Sequence, residues 1–254
     1  MMEHTERFTG RVAEYEKYRL RYPKAAIEIL TARCGLRRED LVADVGAGTG
    51  MLAELFLENG NAVVAIEPND EMRSVCDQLA SAWPGLTVKK ATAEATGLED
   101  ASVDFIAAGR AFHWFDVSKT SVEFRRILRP GGWVSIVSHS RVRDDSPMSK
   151  GYEGVLREFG TDYAENQERY ESRARVEAFF AGGDLFRDES YGEQRLTLEE
   201  LVGQTQSLSV TPEPGHAKFE GMQEALRSFF ATWQKDGVVM MKTACKVTCG
   251  RFGE

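Results

Sequence analysis

Short apolar runs alternate along the chain with segments whose apolar residues recur at helical spacing. Leu41 to Val45 is apolar but for one residue and is bounded by Arg37-Arg38-Glu39-Asp40 and by glycines, which predicts a buried strand. Met51, Leu52, Leu55 and Phe56 then fall on one helical face until Asn59-Gly60 supplies a C-terminal stop. The unit repeats. Ala62 to Ile66 predicts a second strand ending in Glu67-Pro68, and Asn69 is placed to cap a helix carrying Met72, Val75, Cys76 and Leu79. A third strand is expected near Leu86 to Val88 and a fourth over Val103 to Ala108. A helix over Val117 to Leu128 should stop at Arg129-Pro130-Gly131-Gly132, before a strand over Trp133 to Val137. Strands alternating with helices imply an α/β fold with a mostly parallel sheet and helices on both faces.

From His139 to about Leu185 the alternation gives way to polar, helix-favouring sequence, with helices expected over Lys150 to Phe159 and Asn166 to Phe180. This stretch reads as an insertion over the sheet edge. A strand around Arg187 to Leu196 follows, then a helix opened by Thr197-Leu198-Glu199-Glu200, a helix over Met222 to Trp233 and a final strand over Val238 to Thr248. The expected organisation is one domain over 1–254, with an N-terminal segment 1–24, a core 25–138, a helical insertion or cap 139–185, and 186–254 completing the sheet.

Charge narrows the partners. With 32 basic and 40 acidic residues the net charge is -8, which disfavours a phosphate backbone, and the short clusters Arg37-Arg38 and Arg125-Arg126 with Arg129 read as solvated faces. Cys34, Cys76, Cys245 and Cys249 lack metal-ligand spacing, so no metal is expected. Cys245 and Cys249 should share one face of the last strand with no partner pair nearby. Cysteine usage and the lack of a secretory leader before the first charged residues lead us to expect a cytoplasmic protein. No apolar stretch approaches the roughly 18 to 20 residues that span a bilayer, so no membrane partner is expected.

The chemistry concentrates on Asp44-Val45-Gly46-Ala47-Gly48-Thr49-Gly50. Gly46, Gly48 and Gly50 follow a buried strand and open a helix, where the main chain can approach a ligand closely and present free amide donors at a positive helix end. Glu67, at the end of the next strand, adds a carboxylate able to accept both hydrogen bonds of a ribose diol. An NAD-binding domain shares this logic, but its fingerprint asks for glycine or alanine where Met51 stands.

At these residues the sequence resembles the class I S-adenosylmethionine (SAM)-dependent methyltransferases, in particular the small-molecule type 11 group that includes ubiquinone/menaquinone-biosynthesis and trans-aconitate methyltransferase-like enzymes. Val42 to Gly50 is similar to that family's first motif, which implies that Asp44, Gly46, Ala47, Gly48 and Gly50 surround the methionine moiety, with Asp44 serving its ammonium directly or through water. Ala65-Ile66-Glu67-Pro68-Asn69 with Met72 resembles the second motif, which implies Glu67 on the ribose, with Pro68 and Met72 flanking adenine. Ala91 to Leu98 resembles a third segment whose usual aspartate before the alanine is replaced here by Thr92, leaving the Thr92 hydroxyl, the Ala93 backbone and Glu94 as candidates for the adenine contact. Ala108-Gly109-Arg110-Ala111-Phe112-His113-Trp114-Phe115-Asp116 resembles the post-strand motif, with Gly109 beside the cofactor and a histidine-tryptophan pair beside the transferring methyl; many relatives carry glutamine at the place of Arg110. Arg129-Pro130-Gly131-Gly132-Trp133 is similar to the family's scaffold turn. The resemblance covers about Leu41 to Ser138 and implies a Rossmann-like, seven-stranded sheet with an antiparallel last strand, SAM as cofactor and a small-molecule acceptor.

A sulfonium methyl is already electrophilic, so the protein mainly aligns a nucleophile and excludes water. His113 is then either a general base for a hydroxyl acceptor or a packed residue that shapes the pocket. Trp114 and Phe112 bind an apolar substrate or the sulfonium, or belong to the core. The run Phe8, Tyr15, Tyr18, Arg19, Tyr22 and Pro23 resembles the family's N-terminal lid and equally fits an amphipathic helix docked on the sheet, with Tyr18 and Arg19 as candidate substrate contacts. Arg19 and Arg110 can each bind a carboxylate on substrate or cofactor. Two other functions fit less of the sequence: a catalytically silent SAM-binding regulatory module, suggested by Thr92, and an NAD-dependent oxidoreductase, suggested by the fold alone.

Overall fold

A computed structural model describes Gly10 and residues 12–253, with Glu171 as backbone only. Phe8 lies outside the described residues.

The sheet holds seven strands: β1 (Leu41–Val45), β2 (Ala62–Ile66), β3 (Leu86–Lys89), β4 (Val103–Gly109), β5 (Leu128–Arg141), β6 (Leu185–Leu196) and β7 (Val239–Gly250). Their order is β3-β2-β1-β4-β5-β7-β6. β1 to β5 are parallel, and β7 runs antiparallel to both β5 and β6. The expected mostly parallel architecture with an antiparallel last strand is therefore observed. Central strands such as β1 and β4 are buried on both faces, which is why they read as near-continuous apolar runs.

Ten helices flank the sheet among the described residues: α1 (Val12–Tyr18), α2 (Ala25–Cys34), α3 (Met51–Asn59), α4 (Asp70–Leu79), α5 (Val117–Ile127), α6 (Pro147–Phe159), α7 (Tyr163–Glu171), α8 (Arg173–Phe180), α9 (Leu198–Gln206) and α10 (Phe219–Trp233). Local capping chemistry sets several of their ends. Asn69 accepts from the Met72 N–H to open α4, and Thr197 with Glu200 forms a reciprocal capping box on α9. Two expectations need correction. The single helix expected over Asn166 to Phe180 is split at Ser172, whose extended backbone and side chain, accepting from the Arg175 N–H, start α8 as a separate helix. The strand expected over Trp133 to Val137 runs from Leu128 to Arg141, because β7 pairs with it through Arg141.

One apolar layer packs α2 and α3 against one face, with Phe56 and Phe105 fully buried; the other seats Phe124, Phe179 and Phe180 on the opposite face. Burying side chains of this size contributes roughly 1.5–3 kcal/mol each. A third cluster unites α6, α9 and α10 through Tyr152, Leu156, Leu201, Met222 and Leu226, so the cap draws on chain from both sides of β6. Cys34 at the end of α2 is the one cysteine that neighbours Cys249 on β7 among the described residues, a single thiol and not a ligand pair, and all four thiols are free. No helix among the described residues is long and apolar enough to cross a membrane, and no cluster of metal-ligating side chains occurs among them.

Candidate functional site

The sheet order reverses beside β1, where connections leave for opposite faces and open a crevice at the carboxyl ends of β1 and β4. Asp44 lies near the end of β1 with no exposed surface, and neither carboxylate oxygen makes a well-formed hydrogen bond, the backbone N–H of Ala53 offering only a loose one. Burial, with a smaller contribution from the Glu67 charge, pushes its carboxyl up to about 7. A buried carboxylate without partners is costly and is placed to meet a cation.

The glycine loop works differently from its sequence expectation. The N–H groups of Gly46 and Ala47 donate to the Ile66 carbonyl at 2.9 and 3.1 Å, that of Gly50 to the Ala47 carbonyl at 2.9 Å, and that of Gly48 to Glu67 Oε2 at 2.8 Å. These four amides are therefore engaged within the protein, and what the loop offers a ligand is close approach. Gly46, at φ +71°, leaves no room for a side chain, since a Cβ would stand 2.5 Å from that of Ala111. A Cβ on Gly50 would strike Leu79 at 2.7 Å, so Gly50 seats α3 against α4, and Ala47 packs against the core; neither lines the cavity above the loop.

That cavity is lined by most of the remaining predicted cofactor residues. Gly46, Gly48, Glu67, Pro68, Met72, Thr92, Ala93, Glu94 and Gly109 all line it. Glu67 is fixed by two backbone donors, Gly48 N–H on Oε2 and Asn69 N–H on Oε1, each at 2.8 Å, which orients both oxygens. Burial raises its pKa against these bonds. Glu94 is already engaged, with Oε1 accepting from the Asp116 N–H at 2.9 Å and the Thr120 hydroxyl at 3.4 Å. Asp44 lies beneath the cavity, outside its lining.

A second chamber adjoins the first. Tyr15 and Arg110 stand on the wall common to both. Arg110 has φ +53° and is held by Tyr22 Oη at 3.0 Å and the Leu20 carbonyl at 2.9 Å, with no carboxylate partner among the described residues. His113, in the 3-10 turn Phe112–Trp114, is buried, packs on Tyr170 at 5.0 Å between ring centroids and lines the second chamber. Trp114 lies on the first cavity and not on the second, so of the roles expected for it the substrate contact is the one its position disfavours. Arg19 lines the second chamber, but Tyr18 lines neither. Its hydroxyl donates to Glu199 at 2.7 Å and its ring fills the space beside Gly203, so Tyr18 fastens α1 to α9 and the substrate contact expected of it is corrected.

Several chamber residues escaped the sequence reading. Arg141 at the end of β5 donates from Nη2 to Glu153 Oε2 at 2.5 Å and to Tyr163 Oη at 3.1 Å. His139 Nδ1 meets the Arg21 carbonyl at 2.5 Å, and burial lowers its pKa, keeping the ring neutral. Tyr152, Tyr163 and Tyr170 come from α6 and α7. The one signal in the sequence was the concentration of tyrosine and arginine in an otherwise polar insertion.

Comparison with known proteins bears on the fold and on part of the sequence. Residues 43–136 match the methyltransferase domain family. An uncharacterized methyltransferase of Mycobacterium tuberculosis is 39% identical over 134 residues, 53% of this chain and 52% of that protein. One of Schizosaccharomyces pombe is 30% identical over 140 residues, 55% of this chain and 54% of that protein. The chain thus spans about half the length of the curated relatives it matches. Among solved structures, that of a proposed type II methyltransferase from Anaeromyxobacter dehalogenans superposes with a TM-score of 0.65 at 21% identity, covering 92% of this chain and 97% of that one. The YcgJ protein of Bacillus subtilis gives 0.59 at 18% identity, covering 91% and 100%. These solved structures share the fold of this chain, and residues 43–136 are similar to the methyltransferase domain.

Proposed function

We propose that this protein transfers a methyl group from SAM to a small-molecule acceptor. The observation that carries the reading is Glu67, a carboxylate pre-oriented by two backbone N–H groups on the wall of a cavity floored by Gly46 and Gly48. Bound SAM supplies an electrophilic methyl on a sulfonium. The residues present fit that group. Glu67 would accept from the ribose diol, Pro68 and Met72 would flank the adenine, and Thr92, Ala93 and Glu94 would be candidates for its polar contacts. The Asp44 carboxylate beneath the loop supplies the negative charge for the ammonium end, directly or through water. Gly109 admits no Cβ, which would stand 2.6 Å from Tyr22 Oη, so it holds the wall close to the ligand.

Arg110, shared by both cavities, binds a carboxylate at their junction. The acceptor occupies the second chamber, where Arg19 and His113 line the wall. The wall residues align the acceptor nucleophile and exclude water. His113 removes a proton if the acceptor is a hydroxyl, and shapes the chamber if it is already an anion.

Calorimetry tests the cofactor half: S-adenosylhomocysteine should bind and NAD should not. Transfer of label from methyl-labelled SAM to a metabolite tests the other half and separates an enzyme from a silent SAM-binding module.

A further inference from the structure

The second chamber has a charge unlike that of the whole molecule. The chain carries a net charge of -8, yet Arg19, Arg110, Arg141 and Arg143 line this chamber, and no aspartate or glutamate lines it among the described residues. We infer that the acceptor is a small organic acid whose carboxylates are gripped by Arg19 and Arg141. This inference rests on the methyl-transfer reading and specifies its acceptor.

The two arginines are built for the task in different ways. Arg141 is braced from behind: Nη2 is taken by Glu153 and Tyr163, its guanidinium lies over the Tyr152 ring at 4.9 Å, and Nη1 is buried with no hydrogen-bond partner. A guanidinium clamped on one edge with an unused donor on another is preorganised for a carboxylate. Arg19 is left without a counter-charge. Its guanidinium rests on the Tyr15 ring at 5.2 Å, its Nε is buried without a partner, and no carboxylate pairs with it among the described residues. Burial, followed by the charge of Arg110, pulls its pKa down, and the negative charge of a bound anion would oppose that shift. Arg110, on the wall shared with the first cavity, is positioned for the cofactor's own carboxylate, leaving Arg19 and Arg141 to the acceptor. The buried charge of Arg19, with no acid paired to it among the described residues, is expensive unless an anion completes it, and the Arg141–Glu153 pair leaves the Arg141 Nη1 donor for the same anion.

Hydrophobic or amine acceptors do not fit this lining. An ammonium would face four guanidinium groups and no carboxylate, and an apolar acceptor would leave the Arg141 Nη1 and Arg19 Nε donors unpaired.

The test uses the full chain, methyl-labelled SAM and a small-metabolite extract divided by anion exchange before reaction. Label should appear in the retained, acidic fraction and survive prior phosphatase treatment. The double variant Arg141→Met/Glu153→Gln removes the ion pair as a unit and so avoids stranding a buried carboxylate. It should raise the KM for the active fraction at least tenfold while leaving S-adenosylhomocysteine affinity unchanged, and Arg19→Met should do the same. Label only in the unretained fraction, or its loss after phosphatase, overturns the inference and leaves methyl transfer standing. Unchanged acceptor KM in both variants also overturns it. No label in any fraction removes the methyl-transfer reading itself and the inference with it.

Discussion

Asp44→Asn should stabilise the cofactor-free protein while weakening its hold on the cofactor. The Asp44 carboxyl is pushed from 3.8 to about 7 by burial, so the folded state retains a proton that the unfolded chain gives up above pH 3.8. Folding therefore loses stability as pH rises from about 4 to about 7, and above that the loss is complete. At about 1.36 kcal/mol per pH unit, a displacement of this size costs on the order of 4 kcal/mol. Asparagine is close in shape to the neutral acid and does not ionise. The variant and the native chain should thus unfold at similar temperatures near pH 4, and the variant should pull ahead progressively to pH 7 and then hold a constant lead. For a chain of this length about 2–4 °C accompanies each kcal/mol, and the remaining buried amide reduces the lead, so a gain of several degrees at pH 8 is expected. Thermal unfolding followed by circular dichroism from pH 4 to 9 measures it directly. Because other titrating groups are common to both proteins, the difference isolates Asp44. A difference that is flat with pH, or a native chain that is the more stable at pH 8, would refute the argument. Calorimetry on the same samples supplies the other half. S-adenosylhomocysteine affinity should fall at least tenfold in the variant at pH 8. In the native protein it should weaken as pH drops below about 7, where Asp44 becomes protonated.

Glu67→Gln should lower S-adenosylhomocysteine affinity by about ten- to a hundredfold, the equivalent of one or two charge-assisted hydrogen bonds, and should also lower the unfolding temperature by a few degrees, because the amide NH2 must face one of the two backbone N–H donors; calorimetry and a melting curve read the two separately. Gly46→Ala places a Cβ 2.5 Å from Ala111 Cβ at φ +71°, so a loss of about 1–3 kcal/mol in urea-induced unfolding is expected. Gly203→Ala should displace the Tyr18 ring and loosen α1, which limited proteolysis would show as earlier cleavage before residue 25. His113→Asn should flatten the pH dependence of kcat between pH 6 and 8 if a hydroxyl is methylated. With the acidic acceptor inferred from the arginine-lined chamber, kcat should fall without a change in that profile.

The parts of this molecule that the sequence made legible are those whose physics is local. Leu41–Val45 and Ala62–Ile66 were readable because a strand buried on both faces must be a continuous apolar run, and α4 and α9 because Asn69 and Thr197 cap them within four residues. Glu67 was readable because a strand end beside a glycine turn is a fixed place in this architecture. The loop amides were misjudged because three of the four donate to the Ile66 carbonyl and the Glu67 carboxylate at the end of the neighbouring strand β2, which the glycine spacing does not encode. Tyr18 was misjudged for a similar reason: its partners, Glu199 and Gly203, are more than 180 residues away. The acceptor chamber is the extreme case. Arg141 alone is one arginine after a strand, indistinguishable from a solvated one, and becomes a binding group only when Glu153 and Tyr163 brace one edge and burial leaves another edge unpaired. The proposed cofactor cavity is written in short runs at the ends of β1, β2, β3 and β4, whereas the proposed acceptor chamber is assembled mainly from α1, β5, α6, α7 and α9. The acceptor's charge therefore emerges only from side chains brought together by the cap.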